Sequence, residues 1–447
     1  MKRPDWLVAQ KLVRRVSFSL EYRRHDPAPS IERFPAAEAK GSGRDNEFKR
    51  PVFLNIGIFT DCYVPVKNGV VTSISQLKAG LEARGHRVVI FTVNEGNYLE
   101  TDTDVIRFRS IPIGLGTELS CGLVNQARVN RVIRDAKIEL LHSHTEFNLC
   151  ISAIIAARKF ALPRVQTGHT MWEEYNHYIL NGWLFNRPLV RFLLRSLFGG
   201  CAALVAPSAK SAKYFSRLLP RMPIEIIPNG VNSESFMKRT YSVPELADIR
   251  DGLGIPPRDK VILFVGRIGR EKRVVTLLES IAPLLRQRRD IRLVFVGDGP
   301  ELKELRERGQ LLSVENQVIC TGYVDWESIS GIYRVSDLFV TASMSEVHSM
   351  TMIEAMMCSL PVIARKDDSF LGSVQDGVNG YLVESDEGLC EKATELLADE
   401  EKLKQFRQAS WRIAGEFTGQ RHADRMAEFY QRILNGIGTG LPAAGEA

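Results

Sequence analysis

Glu346 and Glu354 stand eight positions apart in the stretch Ser343–Cys358, on either side of a helix start predicted near Ser349–Thr351. Glu354 then falls in the first turns of the helix, where a carboxylate can accept two ribose hydroxyls. Glu346, just before the helix, can accept hydroxyls of a sugar. The backbone N–H groups between them, at Ser349 and Met350, form a helix N-terminus suited to a phosphate. Without further context Glu354 is also explained by pairing with the helix dipole and Glu346 by a simple loop charge. Met350, Ile353, Met356 and Met357 read as core positions.

Arg267 follows an apolar run, 260–265, and Lys272 comes five residues later. A guanidinium for forked contacts and an ammonium as a point charge suit a diphosphate, although solvated loop cations would look the same. Asn68-Gly69 precedes a helix predicted from Val70, so backbone N–H groups can approach a phosphate there; an ordinary tight turn has the same signature. The run 138–144 ends in His142-Ser-His144 and the run 164–169 in Gly168-His169. Residues two apart in a strand share a face but differ in depth, which suits His142 to a core or capping position. Asp102-Thr-Asp104 spells a motif that elsewhere binds metal, but it precedes only the short run 105–108 and reads as a turn.

Something must hold these residues at strand ends. Short apolar runs at 53–60, 87–93, 138–144, 164–169, 203–208 and 223–230 alternate with helical periodicity at 70–85, 148–160 and 209–219. A second series at 260–267, 291–297, 317–323, 338–343 and 361–365 alternates with helices near 273–288, 301–312, 351–357 and 387–415. Continuous apolar strands between amphipathic helices mean parallel sheets covered on both faces. The fold class is therefore α/β, with two Rossmann-like doubly wound domains facing across a cleft, and ligands beyond the carboxyl ends of the strands. The expected division is a basic N-terminal segment and linker over 1–50 and an N-domain over 51–235. A C-domain follows over 236–418, then a helix over 419–436 crossing back to the N-domain, and a tail over 437–447.

The ordered set Phe59-Thr60-Asp61, Tyr63, Pro65, Asn68-Gly69-Val70, Pro207-Ser208, Pro228-Asn229-Gly230-Val231, Val265-Gly266-Arg267, Glu271-Lys272, Gly297-Asp298-Gly299-Pro300 and Glu346-x7-Glu354-Ala355 resembles the retaining, nucleotide-sugar-dependent glycosyltransferases of family 4. The resemblance covers about residues 53–435 and implies the GT-B fold. It implies that Arg267 and Lys272 neutralise the donor diphosphate, with Gly69 lining the pyrophosphate loop beside Ser349 and Met350. By the same resemblance Glu354 holds the ribose, Glu346 faces the sugar hydroxyls and His144 lies near donor sugar and acceptor. The stretch 168-GHTMWEEYNHYI-179 resembles that of a subgroup glycosylating diacylglycerol in bacterial membranes, with Trp172 replacing the usual Tyr. Together with the ordered set, this resemblance implies that Asp61, His169 and Tyr175 are acceptor-side residues. His348 departs from the small residues the family often has at that place.

Charge bears on the acceptor. The chain has 447 residues and a formal net charge of +6. Residues 1–25 alone net +5 and residues 175–224 net +7 without an acid, so the remainder nets −6. Two basic islands in an acidic chain point to an anionic surface. In the second island Arg187, Arg191 and Arg195 recur at helical spacing among Leu189, Val190, Phe192, Leu193, Leu194, Leu197 and Phe198. Such a helix can rest on anionic headgroups, or pack on a core with a solvated arginine stripe. Residues 1–25 read either as an interfacial helix or as a basic tail. The seven widely spaced cysteines, with no C-x-x-C, argue against a disulfide scaffold or structural zinc. No apolar run is long enough to span a membrane, and no basic–aromatic platform supports nucleic acid as partner.

The resulting expectation is a cytoplasmic enzyme, peripheral on the inner face of a membrane. It would move a hexose from a nucleoside-diphosphate donor, UDP-linked in the first instance, to a lipid hydroxyl such as that of diacylglycerol. The donor is a co-substrate; no cofactor is required and a divalent metal is not obligatory. The alternatives are a soluble or polysaccharide acceptor, or a same-fold sugar-nucleotide epimerase.

Overall fold

The structure, a computed structural model, describes residues 53–94, 98–112, 120–172 and 187–436. In its first half, strands β1 (Asn55–Phe59), β2 (Arg87–Val93), β3 (Val105–Phe108), β4 (Ser110–Pro112), β5 (Ser120–Gly122), β6 (Leu140–Ser143), β7 (Arg164–Thr167), β8 (Ala203–Ala206) and β9 (Ile224–Ile226) occur in chain order. Helices α1 (Gly69–Glu82), α2 (Gln126–Asp135), α3 (Asn148–Phe160), α4 (Arg187–Phe198) and α5 (Ala209–Leu218) are interleaved with them. The second half begins with α6 (Val243–Gly252) and carries strands β10 (Lys260–Val265), β11 (Ile291–Val296), β12 (Val318–Gly322), β13 (Leu338–Thr341), β14 (Val362–Arg365) and β15 (Gly380–Val383). Its remaining helices are α7 (Val274–Gln287), α8 (Leu302–Leu311), α9 (Trp326–Arg334), α10 (Met350–Met357), α11 (Glu387–Ala398), α12 (Glu400–Ala414) and α13 (Gly419–Leu434).

Strands β4 and β5 form a small antiparallel pair of their own. The two large sheets are ordered β3-β2-β1-β6-β7-β8-β9 and β12-β11-β10-β13-β14-β15, and every pairing within them is parallel. Counted by strand within each sheet, both follow the doubly wound order 3-2-1-4-5-6, the first with one strand more. The order reverses between β1 and β6 and between β10 and β13. At such switch points the loops diverge and leave a crevice.

The strands show why the sheets are covered on both faces. In β2 all residues after Arg87 are buried, and in β10 all after Lys260. Ile56, Ile58, Val88 and Ile90 pack toward Val71, Ile74, Leu77 and Leu81 of α1. Phe59, Val89, Phe91 and Leu141 pack on the other face against α2 and α3. In the second sheet Ile262, Phe264, Leu293 and Phe295 face α7 and α11, whereas Val261, Leu263, Val265 and Val294 face α9 and α10. The period-two alternation follows from the strand geometry.

Helix α13 carries Ala423, Met426, Tyr430 and Ile433 on one stripe, and this stripe completes the core of the first half. At ~1.5–3 kcal/mol for each large apolar side chain, Met426, Phe429, Tyr430 and Ile433 together contribute roughly 6–12 kcal/mol of gross burial. The chain crosses between lobes twice, side by side. Val231 donates to Phe417 O at 2.8 Å, and Gly419 N–H donates to Val231 O at 2.9 Å. A Cβ on Gly230 would lie 2.7 Å from Gly419 Cα, so this crossing needs glycine in the Pro228-Asn229-Gly230-Val231 stretch.

The structure departs from the sequence reading in places. The helical region 387–415 is two helices, because Asp399 leaves helical geometry and its carboxylate caps Lys402 N–H. Residues 105–108 form an edge strand, too short to show a pattern of its own. The preceding Asp102 closes a turn by accepting from Asp104 N–H at 2.9 Å. Cys62, Cys150, Cys201, Cys320, Cys358 and Cys390 are free thiols. Among the described residues no helix is long and apolar enough to cross a membrane. The basic segment 1–25 and the tail lie outside the described residues.

Candidate active site at the two switch points

At the second sheet the crevice opens beyond β10 and β13. Gly297, ending β11, has φ +136°, and a Cβ there would stand 1.9 Å from Gly266 O; the strand ends can meet this closely only with glycine. Arg267 projects from the end of β10 and is exposed. Lys272 closes a 3₁₀ turn, Arg270–Lys272, and its Nζ lies 2.6 Å from Glu346 Oε1. Both side chains are at least four-fifths buried, and Ser345 Oγ donates to Glu271 O at 2.9 Å, which ties the Glu346 segment to the Lys272 turn. Burial alone would raise the Glu346 pKa, but the Lys272 ammonium overrides it and holds the carboxyl below its ordinary range.

Helix α10 begins at Met350, and Ser349 precedes it without a side-chain cap, so its first N–H groups have no Ser349 oxygen to bond. Glu354 lies within this helix, buried, and accepts from Tyr333 Oη at 2.8 Å. Burial pushes its pKa up to about 7, opposed by the tyrosine hydroxyl.

Beyond β1 and β6 the first sheet presents a different surface. Asp61 accepts from Thr145 Oγ1 at 2.5 Å and from Leu149 N–H at 3.1 Å, which pins the β1 loop to the start of α3. Burial pushes Asp61 up to about 6 and Glu146 up to about 8, the latter helped by the charge of Asp61. His142 bonds Tyr430 Oη at 2.6 Å and Thr167 Oγ1 at 2.7 Å, so both of its nitrogens are used. His144 Nδ1 lies 3.0 Å from His169 Nε2, one ring donating to the other. His144 Nε2 is buried and finds no partner among the described residues. Burial drives the His144 pKa well below its ordinary value and that of His169 to about 3, so both rings are neutral.

The two crevices face each other. A Cβ on Gly69, first residue of α1, would be 3.7 Å from Met350 Cγ at the start of α10. His169 and His348 are close enough to feel each other's charge, as are His348 and His422. Lys210 Nζ in α5 reaches Met344 O at 2.5 Å and Asp367 Oδ2 at 2.9 Å, both in the other lobe.

The structure thus brings together Glu346, Lys272, Glu354, Ser349, Met350 and Gly69 around one crevice, with His144, His169 and Asp61 on the opposing wall. Tyr175 lies outside the described residues, as does the side chain of Arg187. Arg191 and Arg195 sit apart from the crevice on α4. Arg191 is exposed, and Arg195 Nε donates to Leu218 O at 3.0 Å, so that arginine also braces α5. Helix α4 buries Val190, Leu194 and Phe198 yet leaves Leu189, Phe192 and Leu193 exposed, Phe192 at 65%.

Sequence reasoning missed Lys210, Tyr333 and His422. Lys210 was findable, since it follows Pro207-Ser208 at the carboxyl end of β8. Tyr333 and His422 reach the site from helix interiors, where no strand-end rule applies.

Residues 67–235 match the family described as Glycosyltransferase Family 4, and residues 247–412 match Glycosyl transferases group 1. An alpha-monoglucosyldiacylglycerol synthase of Acholeplasma laidlawii is 31% identical over 363 residues, 78% of this chain and 90% of that protein. The enzyme so named from Streptococcus pneumoniae is 29% identical over 380 residues, 84% of this chain and 85% of its own. Among solved structures, HepE of Anabaena in complex with UDP and glucose superposes with a TM-score of 0.66 at 20% identity, covering 85% of this chain and 99% of that one. With two sheets of this order, a crevice at each switch point and relatives matched along most of their length, the chain belongs to the family 4 glycosyltransferases of GT-B fold.

Proposed function

We propose that this glycosyltransferase moves glucose, or a similar hexose, with retention from a UDP-sugar to the hydroxyl of a membrane lipid of the diacylglycerol type. The observation that carries the reading is the buried Lys272–Glu346 pair at the switch point of the second sheet, facing His144 and His169. The relatives named for glucosyldiacylglycerol synthesis support the acceptor class.

In this reading the diphosphate lies against Arg267, Lys272 and the first N–H groups of α10, which take up the charge of the departing phosphate; no divalent ion is required of them. Glu354 holds the ribose, and Tyr333 fixes its carboxylate. Glu346 orients the sugar hydroxyls. As the diphosphate leaves, the anomeric carbon gains oxocarbenium character. The acceptor hydroxyl attacks from the leaving-group face and passes its proton toward the departing phosphate oxygen. Neutral His144 and His169 line that face without repelling the developing positive charge, and lobe closure excludes water.

The acceptor would arrive from the membrane along α4, whose exposed Leu189, Phe192 and Leu193 lie among Arg191 and Arg195. In this reading the enzyme works as a peripheral protein on the inner membrane face. Turnover of UDP-glucose with diacylglycerol in mixed micelles, with products read by mass, tests the reaction. Glucosyldiacylglycerol with the α configuration is the expected product; UDP-glucose turnover that ignores diacylglycerol overturns the acceptor. Co-sedimentation with anionic vesicles should fall at least tenfold in Phe192→Ser/Arg191→Glu, and unchanged binding overturns the α4 surface.

A further inference from the structure

We propose that Lys210 is a positioning residue that locks the donor-sugar segment 343–349 from the opposite lobe, so that lobe closure and the placement of Glu346 are one event. Lys210 is the second residue of α5, a helix of the first lobe. Its ammonium reaches two groups of the second lobe. One is Asp367 Oδ2 at 2.9 Å, in an ion pair whose side chains are only 15% and 9% exposed. The other is Met344 O at 2.5 Å, two residues before Glu346. Asp367 is itself held, because its second oxygen accepts from Ser369 N–H at 2.8 Å.

Segment 343–349 is tied to its own lobe by Ser345 to Glu271 and by Glu346 to Lys272. Lys210 adds a tie from across the cleft, and its positive charge also favours the ionised form of Glu346. Lys213, one turn further along α5, meets Asp368 at 3.2 Å, but those side chains are 60% and 48% exposed. Water screens the Lys213 pair, whereas an opened Lys210 pair leaves a largely buried Asp367 carboxylate without its cation. Lys210 is therefore the clamp and Lys213 its solvated rim.

The clamp leaves the nucleotide half of the crevice alone, since Arg267 and Glu354 belong wholly to the second lobe. Its role rests on the reading that a UDP-sugar occupies this crevice. In Lys210→Met, kcat with UDP-glucose should fall at least 30-fold while UDP affinity, measured by calorimetry, stays within threefold. Lys210→Arg, which keeps a cation able to reach both oxygens, should recover kcat to within fivefold of the unaltered enzyme. Lys210→Met/Asp367→Asn should be no slower than Lys210→Met, because both changes act on one contact. Lys213→Ala should stay within twofold.

Small-angle scattering without any nucleotide tests the clamp apart from the donor. Lys210→Met should be more extended than the unaltered chain and Lys213→Ala should superpose on it. Coincident curves for Lys210→Met, or wild-type kcat in that variant, overturn the clamp; so does a kcat loss matched by an equal loss of UDP affinity. Absence of UDP binding by the unaltered enzyme overturns the donor reading instead, and the scattering comparison then still decides the clamp.

Discussion

The two crevice walls share a topology and differ in electrostatics. Both lie where the order 3-2-1-4-5-6 reverses. The wall of the second sheet carries Arg267, Lys272 and an ionised Glu346, and Glu354 behind them is pushed by burial toward neutrality, to about 7. The wall of the first sheet holds groups that burial drives toward neutrality: Asp61 at about 6, Glu146 at about 8, His169 at about 3 and His144 well below its ordinary value. The shared fold gives each wall a crevice, and the strand-end residues give the two crevices different chemistry. On the proposed reading, the fixed cations would meet the donor's diphosphate and the drier wall of suppressed charges would meet the acceptor hydroxyl.

The comparison breaks first if the charged wall can lose a charge without consequence. Lys272→Met should lower kcat/KM about 10³-fold, since on the proposed reading it removes a cation from the donor diphosphate and it strands Glu346 as a buried, unpaired carboxylate. Adding Glu346→Gln should restore thermal stability but not turnover. Turnover of Lys272→Met within tenfold of the unaltered enzyme would remove this wall from the chemistry.

On the neutral wall the test is pH dependence of stability. Glu146 holds its proton to about 8 in the folded chain against 4.5 for an ordinary glutamate. Between those values the folded state binds more protons than the unfolded, so this group's contribution to stability declines as pH rises. Glu146→Gln should therefore gain stability relative to the unaltered chain from pH 4.5 to 8 and level off above it, by about 5 kcal/mol at most. His169 is displaced the other way: its stabilisation is absent near pH 3 and complete above 6.5. A flat difference between Glu146→Gln and the unaltered chain, measured by urea unfolding across that range, would show that the wall is not built from suppressed charges.

Tyr333→Phe sharpens the comparison within the charged wall. It removes one hydroxyl from Glu354 Oε2. A hydrogen bond to a charged group is worth about 1.5–3 kcal/mol, so KM for the donor should rise on the order of 10–100-fold with kcat nearly unchanged. Because that hydroxyl opposes the upward shift of Glu354, the pH at which donor affinity changes should also move upward. A KM unchanged at all pH values would separate Tyr333 from the ribose end of the site.

The walls also differed in how readable they were. The charged wall was legible because its residues follow strands directly and keep fixed spacing: Arg267 and Lys272 after β10, Glu346 and Glu354 around the start of α10. The doubly wound α/β class was legible from the apolar runs. Edge strand β3 was not, since four residues at a sheet margin carry no period. On the neutral wall His144 and His169 could be placed at strand ends, but their mutual bond depends on β6 and β7 being neighbours, which only the sheet shows. Glu146 was hidden because its character comes from burial, and burial at a loop leaves no spacing in the sequence. Lys210 and Tyr333 act on elements remote in sequence, which spacing alone does not reveal.

The smallest expected effect concerns a contact that resembles the Lys210 clamp in every respect but burial. Lys67 Nζ lies 3.2 Å from Asp325 Oδ1, also across the cleft, and 5.7 Å from the centroid of the Tyr323 ring. Both side chains of the ion pair are 64% exposed. At that exposure water competes for the charges and salt screens them, and pairs of this kind contribute between nothing and about 1 kcal/mol. Lys67→Ala should accordingly change kcat/KM by less than twofold, and the difference should vanish between 50 and 500 mM salt. If instead Lys67→Ala slows turnover as much as Lys210→Met, burial is not what separates a clamp from a solvated contact across this cleft. The ordering of the three interlobe lysines, 210 above 213 and 67, would then have to rest on geometry alone.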